Sequence, residues 1–136
     1  MQLHATTVAL DSRALVILGP AGSGKSTLAL QLMAVGAVLV ADDRTDLELS
    51  SGQLMASAPA QLRGRVEARG VGILAADPAP SSRVALACDL GRREEDRLPH
   101  SHVQQWLGVP VPLVLGPYRS HLYAALRQML VGQRLA

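Results

Sequence analysis

One eight-residue motif constrains the fold of this chain more than any other feature of its sequence. Residues 19–26 read GPAGSGKS and satisfy the pattern G-x-x-x-x-G-K-[ST] in full. An apolar run, ALVIL at 14–18, precedes the motif, and a segment with a helical pattern follows it at 25–35. A glycine-rich turn between a buried strand and a helix points successive backbone N–H groups at a bound phosphate. The sequence therefore predicts a phosphate-binding loop on an α/β scaffold.

The rest of the pattern predicts a mixed β-sheet with few helices, forming a single domain over residues 1–136. LHATTVAL at 3–10 and the run at 14–18 predict a hairpin, and Gly36 is expected to end the first helix. AVLVA at 37–41 predicts a further buried strand.

The second half of the chain reads mostly as β-structure. GRVEARGVGILA is expected to form one strand interrupted by glycines. VQQWLGVPVPLVLGP predicts a short helix and then a proline-broken strand at a sheet edge. SHLYAALRQMLVGQRLA predicts an amphipathic helix, whose apolar side carries Leu122, Leu126, Met129 and Leu130.

Composition and charge argue against several classes of function. The net charge is +2, aromatic residues make up 2% and phenylalanine is absent, which does not suit nucleic-acid binding. No signal segment is visible, and no apolar run reaches the roughly 18 residues of a membrane helix. The single cysteine, Cys88, is expected to be a small buried hydrophobe. These observations predict a cytoplasmic protein with no membrane or nucleic-acid partner.

The loop residues have expected roles in binding a nucleotide. Lys25 is expected to reach the β- and γ-phosphates and to meet charge on the transferring phosphoryl group, and the Ser26 hydroxyl to bind Mg²⁺. The motif therefore predicts a nucleoside triphosphate with Mg²⁺. The residues expected to bind the nucleotide are Gly19, Ala21, Gly22, Ser23, Gly24, Lys25, Ser26 and Thr27.

Two carboxylates, Asp42 and Asp43, directly follow the strand at 37–41. Because adjacent strand residues point to opposite sides, we expect them to do different work. One would hold the metal, directly or through water, and the other would face the acceptor as a general base.

Two weaker signals lie on either side of this pair. VEARGVGI at 66–73 places Glu67 and Arg69 on one side of an extended segment, and an ion pair on a glycine-bent strand accounts for that pattern equally well. His4 lies in the strand expected beside the loop strand, where a lone histidine is more often a surface residue than a catalytic one.

Taken in order along almost the whole chain, these residues resemble the catalytic domain of HPr kinase/phosphorylase, in the short form seen in alphaproteobacteria. LHATTVAL resembles the opening histidine strand of that family, and GPAGSGKSTLALQLMAVGAVLVADD resembles its loop, helix and double aspartate. VEARGVGIL and DRLP are similar to two further family segments. The double aspartate at this spacing together with E-x-R-G-x-G is far more specific than the loop alone.

This resemblance implies a phosphoenolpyruvate carboxykinase-like P-loop kinase. The implied activity is ATP- and Mg²⁺-dependent phosphorylation of a serine on HPr, a small phosphocarrier of the sugar phosphotransferase system, or on its nitrogen-branch paralogue. In many members the same site removes that phosphate with inorganic phosphate and releases pyrophosphate. The resemblance also implies a hexamer.

The resemblance further implies individual roles. His4 matches the catalytic-site histidine, Asp42 the acid/base aspartate and Asp43 its neighbour that supports the site and the metal. Ser26 and Glu67 match the magnesium ligands. The family's longer members carry an N-terminal domain, and the resemblance here is to their catalytic domain. The chain departs from the family pattern in Thr27, which replaces a common acidic residue, and in GPYRSH around Arg119, which matches a Pro-Gly-Arg-Asn run only loosely.

Two alternative functions stay open on the residues. One is a small-metabolite kinase, although 136 residues with a β-rich second half leave little room for a helical lid. The other is a nucleotide-sensing module that binds a regulatory partner without turnover. Turnover separates the second from both kinases.

Overall fold

The computed structural model describes residues 1–136, which form eleven strands, two α-helices and one 3₁₀ turn. The helices are α1 (Lys25–Ala34) and α2 (Leu122–Val131), and the 3₁₀ turn covers Ala60–Leu62. Neither helix is long and apolar enough to cross a membrane. The strands are β1 (Gln2–Leu3), β2 (Ala5–Leu10), β3 (Arg13–Leu18), β4 (Val38–Ala41), β5 (Thr45–Ser50), β6 (Gln53–Ser57), β7 (Arg65–Ala68), β8 (Gly72–Ala75), β9 (Ser82–Arg93), β10 (His102–Trp106) and β11 (Val109–Gly116).

Nine strands form one mixed sheet, and β7 and β8 form a separate antiparallel hairpin. The main sheet has the order β1-β5-β6-β9-β3-β2-β4, and β11 joins it beside β9 with β10 as its outer partner. β9 pairs in parallel with β3 and with β11, whereas the other neighbours are antiparallel. The predicted mixed sheet with few helices is confirmed, as is the hairpin of β2 and β3.

The sheet folds back on itself, because β1 and β2 are separated by a single residue although they lie far apart in the strand order. The Thr45 hydroxyl, on β5, donates to the Ala5 carbonyl at 3.0 Å, and the Thr7 and Thr45 hydroxyls lie 2.9 Å apart. This curvature encloses one apolar core, to which Val16 of β3 contributes. Its neighbour Ile17 points to the opposite face, into a second core covered by α1 and α2.

α1 stops before Gly36 and α2 buries its apolar side as the sequence predicts, although α2 covers only Leu122–Val131 of the predicted segment. Gly36 has a φ of 111°, and its N–H and that of Ala37 donate to the last carbonyls of α1. This left-handed residue ends α1, because a residue with a Cβ is strained in that conformation. The buried side of α2 carries Leu122, Leu126 and Leu130, with Met129 packed beside them.

The predicted short helix at VQQW is wrong, because residues 102–106 form β10. Leu107 and Gly108 have positive φ angles of 51° and 80°, which suit a two-residue hairpin turn. β10 therefore pairs in antiparallel register with β11, and this long-range pairing overrides the local helical tendency.

Two further predictions about strands are corrected. β11 is not an edge strand, since it has β10 on one side and β9 on the other. Pro110 and Pro112 lie in the half of β11 that precedes its pairing with β9 at Leu113, where the missing N–H costs no bond to β9. GRVEARGVGILA forms two strands rather than one, because Gly70, with a φ of 81°, turns the chain between β7 and β8.

Candidate functional site

The glycine-rich loop between β3 and α1 forms one wall of a cleft of about 450 Å³. The end of β4 forms another wall, and the β7–β8 hairpin closes the third. The lining residues are Thr6, Ala21, Gly22, Gly24, Lys25, Ser26, Thr27, Asp42, Asp43, Glu67 and Arg69. The fold therefore brings the three predicted motifs, which are far apart in sequence, to one place.

The start of α1 is built to bind an anion. The helix has no side-chain cap and no acidic residue in its first turn. The backbone N–H groups of Lys25, Ser26 and Thr27 donate to no acceptor in the protein. Free N–H groups at a helix N-terminus, together with the positive end of the helix dipole, favour a bound phosphate.

Close packing requires a glycine at position 24. Its φ is 103°, and an added Cβ would lie 3.0 Å from Cδ1 of Tyr118. On the other side of the loop, the Lys25 ammonium donates to the carbonyls of Gly19 and Pro20 at 2.7 and 3.2 Å. Lys25 thus holds the loop in shape with two of its three donors.

Asp42 is the hub of the cleft, and its side chain is buried. Its Oδ1 accepts hydrogen bonds from the Thr6 hydroxyl at 2.8 Å and from the Ser26 hydroxyl at 2.7 Å. Its Oδ2 accepts the backbone N–H of Glu67 at 2.8 Å. One carboxylate therefore ties together the β2 strand, the glycine-rich loop and the β7–β8 hairpin.

Asp43 differs from Asp42 in every respect that matters for chemistry. It is exposed in the cleft, has a φ of 68°, and its carboxylate accepts no hydrogen bond within the protein. Its backbone N–H lies 3.3 Å from the Thr6 hydroxyl, to which it donates. The two neighbouring acids have different environments, as the sequence analysis expected.

Glu67 and Arg69 reach the cleft from the β7–β8 hairpin. They form no ion pair with each other, so the ion-pair interpretation of this segment is wrong. A Cβ placed on Gly22 would lie 3.7 Å from Nη1 of Arg69, so this guanidinium lies over the glycine-rich loop. Three carboxylates and two cations line the cleft, and this balance suits a divalent cation bound with a polyphosphate.

The donors around the cleft fit Mg²⁺. The Ser26 hydroxyl and the carboxylates of Asp43 and Glu67 all border it, and all are hard oxygen ligands. No three His, Cys, Asp or Glu side chains surround one point in the chain. A Mg²⁺ site needs no such cage, because this ion usually keeps several waters and binds one or two carboxylates together with phosphate oxygens of a substrate.

Three predicted site residues do not line the cleft. His4 is exposed in the bend between β1 and β2 and makes no hydrogen bond. The Gly19 carbonyl accepts a hydrogen bond from the Lys25 ammonium, and the Ser23 hydroxyl is buried without a partner. A catalytic role for His4 stays a prediction.

Sequence reasoning missed Thr6. It assigned no role to this buried hydroxyl, which lines the cleft and contacts both aspartates. The available signal was a threonine in the strand beside the loop strand. Thr6 and Thr7 point to opposite faces of the sheet, because they are adjacent residues of one strand. The sheet register that brings Thr6 to Asp42 is not visible in the sequence.

Two titratable groups outside the cleft have shifted pKa values. Burial, helped by the charge of Asp89, raises the pKa of the Cys88 thiol to about 12, so this residue is the inert buried hydrophobe that was predicted. Burial of Glu94 would raise the pKa of its carboxyl. Hydrogen bonds from the Asp96 backbone and from His102 outweigh that effect, and the pKa of Glu94 is lowered.

Comparisons with known proteins point to one family. The family model described as "HPr Serine kinase C-terminal domain" matches residues 1–79, the part that contains the loop, both aspartates and the β7–β8 hairpin. The chain is similar to the HPr kinase/phosphorylase of Caldicellulosiruptor bescii, with 33% identity over 129 residues that cover 85% of this chain and 42% of that protein. It is also similar to the HPr kinase/phosphorylase of Streptococcus uberis, with 34% identity over 131 residues, which cover 87% and 42% respectively.

A solved structure supports the fold over almost the full chain. The structure of the Hpr(Ser) kinase/phosphatase from Coxiella burnetii superposes with a TM-score of 0.80 at 30% identity, covering 96% of this chain and 88% of that one. The chain spans about two fifths of the length of the curated relatives from C. bescii and S. uberis.

Proposed function

We propose that this chain, which belongs to the HPr serine kinase C-terminal domain family, is an ATP- and Mg²⁺-dependent protein-serine kinase. Its acceptor is an HPr-like phosphocarrier, either HPr itself or the nitrogen-branch paralogue, and its place of action is the cytoplasm. In this role it would regulate the phosphotransferase system and carbon metabolism. One observation carries the proposal: Asp42 accepts hydrogen bonds from the Ser26 hydroxyl of the glycine-rich loop and from the Glu67 backbone of the hairpin.

The loop and α1 would bind the nucleotide. The free N–H groups of Lys25, Ser26 and Thr27 are available for phosphate oxygens, and the Lys25 ammonium lies within the same wall of the cleft. When bound, Mg²⁺ would supply positive charge that offsets the negative charge developing on the phosphoryl group. Ser26, Asp43 and Glu67 are the residues that would hold it, directly or through water.

Asp42 would act as the general base. A carboxylate has about four lone-pair positions, and three of those on Asp42 are occupied by donors. The remaining position, on Oδ2, would take the proton from the acceptor serine as its oxygen bonds to the γ-phosphorus. The bond from that phosphorus to the bridging oxygen then breaks, leaving ADP and phosphoserine.

The reverse reaction would use the same groups. An oxygen of inorganic phosphate would bond to the phosphoserine phosphorus as the bond from that phosphorus to the serine oxygen breaks, giving pyrophosphate and serine. Asp42, protonated at the start, would give its proton to the departing serine oxygen, and the proton lost by the incoming phosphate would restore it. The cleft's two cations, Lys25 and Arg69, are placed to offset the charge of the incoming phosphate.

The decisive experiment is transfer from labelled ATP. The protein is incubated with Mg²⁺ and, separately, HPr, the nitrogen-branch paralogue and a panel of small metabolites. We expect a phosphocarrier to gain label on serine. Label on a metabolite would identify a small-molecule kinase, and nucleotide binding with no labelled acceptor would identify a sensing module; either result contradicts the proposal.

Asp42→Asn tests the assignment of the base. We expect the Kd for MgATP to change by less than about threefold, while kcat for serine phosphorylation falls by about 10²- to 10⁴-fold. Asp77→Asn is the matched control, because Asp77 is an exposed carboxylate that lines no part of the cleft. Undiminished transfer by Asp42→Asn would rule out Asp42 as the base.

A further inference from the structure

We propose that Thr6 is a positioning residue, whose hydroxyl sets the orientation of Asp42 and the backbone at Asp43 for phosphoryl transfer. The proposal rests on the function proposed above. Thr6 is fully buried at the edge of the cleft, in the strand between β3 and β4. No role in nucleotide or metal binding follows from the loop motif for this position.

One hydroxyl serves both aspartates. The single proton of Thr6 Oγ1 goes to Oδ1 of Asp42 at 2.8 Å, and a lone pair of the same oxygen accepts the N–H of Asp43 at 3.3 Å. Because a hydroxyl has one donor and two acceptor positions, the two contacts fix the direction of the O–H bond. The hydroxyl therefore holds the carboxylate of one acid and the backbone of the other.

The hydrogen bonds decide how the Asp42 carboxylate is oriented, because the terminal torsion of an aspartate side chain is soft. Without Thr6, two contacts would remain: the Ser26 hydroxyl on Oδ1 and the Glu67 N–H on Oδ2. Ser26 is also the expected magnesium ligand, so its hydroxyl oxygen would serve the metal as well as Asp42. Thr6 is the side-chain donor to Asp42 that has no expected role in binding the metal.

A β-bulge places Thr6 opposite Asp42. In the β2–β4 pairing, Val8 faces Leu39 and Ala9 faces Val38, yet Thr7 faces Ala41, so Val40 is the extra residue. Without this shift, the residue of β2 opposite Asp42 would be Ala5, which has no hydroxyl. Bulges re-aim side chains beside functional sites, and this one brings a threonine rather than an alanine to the carboxylate.

Thr7 provides a matched control within the same strand. It is equally buried, and its hydroxyl bonds to Thr45 on the other face of the sheet, away from the cleft. Thr6→Val and Thr7→Val therefore remove the same atom from adjacent positions of one strand. Only the first removes a contact to Asp42.

The experiment compares the steady-state kinetics of Thr6→Val, Thr6→Ser and Thr7→Val in MgATP-dependent phosphorylation of HPr. For Thr6→Val we expect kcat to fall about 10- to 100-fold, because the variant lacks a hydrogen bond to the charged carboxylate of Asp42. KM for MgATP should stay within about twofold, because Thr6 has no expected contact with the nucleotide. Thr6→Ser, which restores the hydroxyl, should return kcat to within about threefold of the wild type. If Thr6→Val does not fold, Thr6→Ala takes its place.

Three kinetic results would overturn the proposal: wild-type kcat in Thr6→Val, a Thr6→Ser variant as slow as Thr6→Val, or an equal loss in Thr7→Val. Crystal structures of the wild type and of Thr6→Val test the position of the Asp42 carboxylate directly, without any measurement of activity. We expect the distance from Asp42 to Ser26 Oγ or to Glu67 N to exceed about 3.5 Å in the variant. An unmoved carboxylate would refute positioning by Thr6 even if HPr proves not to be the acceptor.

Discussion

Asp42 and Asp43 are the same residue type in adjacent positions, yet the chain gives them different chemistry. Asp42 is buried and accepts three hydrogen bonds, whereas Asp43 is exposed and its carboxylate accepts none. The difference comes from neighbours on β2, α1 and β7 that are distant in sequence. At the scale of the residue, environment rather than identity separates a held carboxylate from a free one.

Cys88 offers a test of environment at the same scale. Burial raises its pKa from 9.0 to about 12, so the folded protein holds the thiol neutral where the unfolded chain would ionise it. The stability from this residue is therefore full below pH 9 and is lost as the pH rises toward 12.

We expect the free energy of unfolding of the wild type to fall more steeply above pH 9 than that of Cys88→Ala, by up to about 1.4 kcal/mol per pH unit. Urea titrations of both proteins between pH 8 and about 11 measure this difference, since the other titrating groups are common to both. Parallel curves would show that the thiol ionises equally in the folded and unfolded states.

At the scale of elements, the local pattern predicted what a segment buries better than what it pairs with. The prediction for the apolar side of α2 is confirmed, because the 3.6-residue period of apolar residues identifies the buried side of a helix whatever it packs against. The prediction of a helix at VQQW is wrong. This segment is a strand, because it pairs with β11, whose residues lie on the other side of a turn. The β7–β8 hairpin was missed for a similar reason, since glycines suit both a turn and a bent strand.

Leu126 tests how α2 is held. Its side chain is fully buried in the core shared with α1, so Leu126→Ala leaves a cavity between the helices and the sheet. We expect the free energy of unfolding to fall by about 2–5 kcal/mol. Val131→Ala, at a partly exposed position of the same helix, should cost less than about 1 kcal/mol. Equal losses in urea titrations would mean that α2 is not packed as described.

At the scale of the whole molecule, a single curved sheet separates two cores and carries the cleft at one end of its strands. A larger cleft, of about 830 Å³, lies near Arg13 at the other end of β3 and shares no residue with the glycine-rich loop. Volume therefore does not identify the functional site here, whereas the convergence of the loop, Asp42 and Glu67 does. The hexamer implied by family resemblance stays a prediction.

Nucleotide binding should stabilise the whole fold, because the cleft joins the loop, β4 and the hairpin. At a free MgATP concentration of 100 times Kd, we expect the free energy of unfolding to rise by about 2.7 kcal/mol. Lys25→Ala should lose most of this gain, measured against the variant's own stability without nucleotide, because the substitution also removes two hydrogen bonds to the loop carbonyls. Thermal unfolding with and without MgATP measures both, and an equal shift in the variant would remove Lys25 from the binding site.

Much of the candidate site could be predicted from sequence. Gly24, Lys25 and Ser26 belong to a contiguous motif whose function is set by local backbone geometry. Asp42, Asp43 and Glu67 were also found, and all three line the same cleft as the loop. The contact of Thr6 with Asp42 could not be predicted, because it depends on strand register. The position of His4 could not be predicted either, because it depends on a bend between β1 and β2.

The sequence by itself determined the phosphate-binding loop, the buried strands around it, the amphipathic side of α2 and the presence of two acids after β4. These are local properties, written in the spacing of glycines and apolar residues along a few turns of chain. Tertiary structure alone decided which donors surround Asp42 and which acid stays free in the cleft. The physical reason is long-range packing. The bulge at Val40 sets which residue of β2 lies opposite Asp42, and the β7–β8 hairpin brings the Glu67 N–H to the same carboxylate. A shift of one residue in register would change every side chain that this carboxylate contacts.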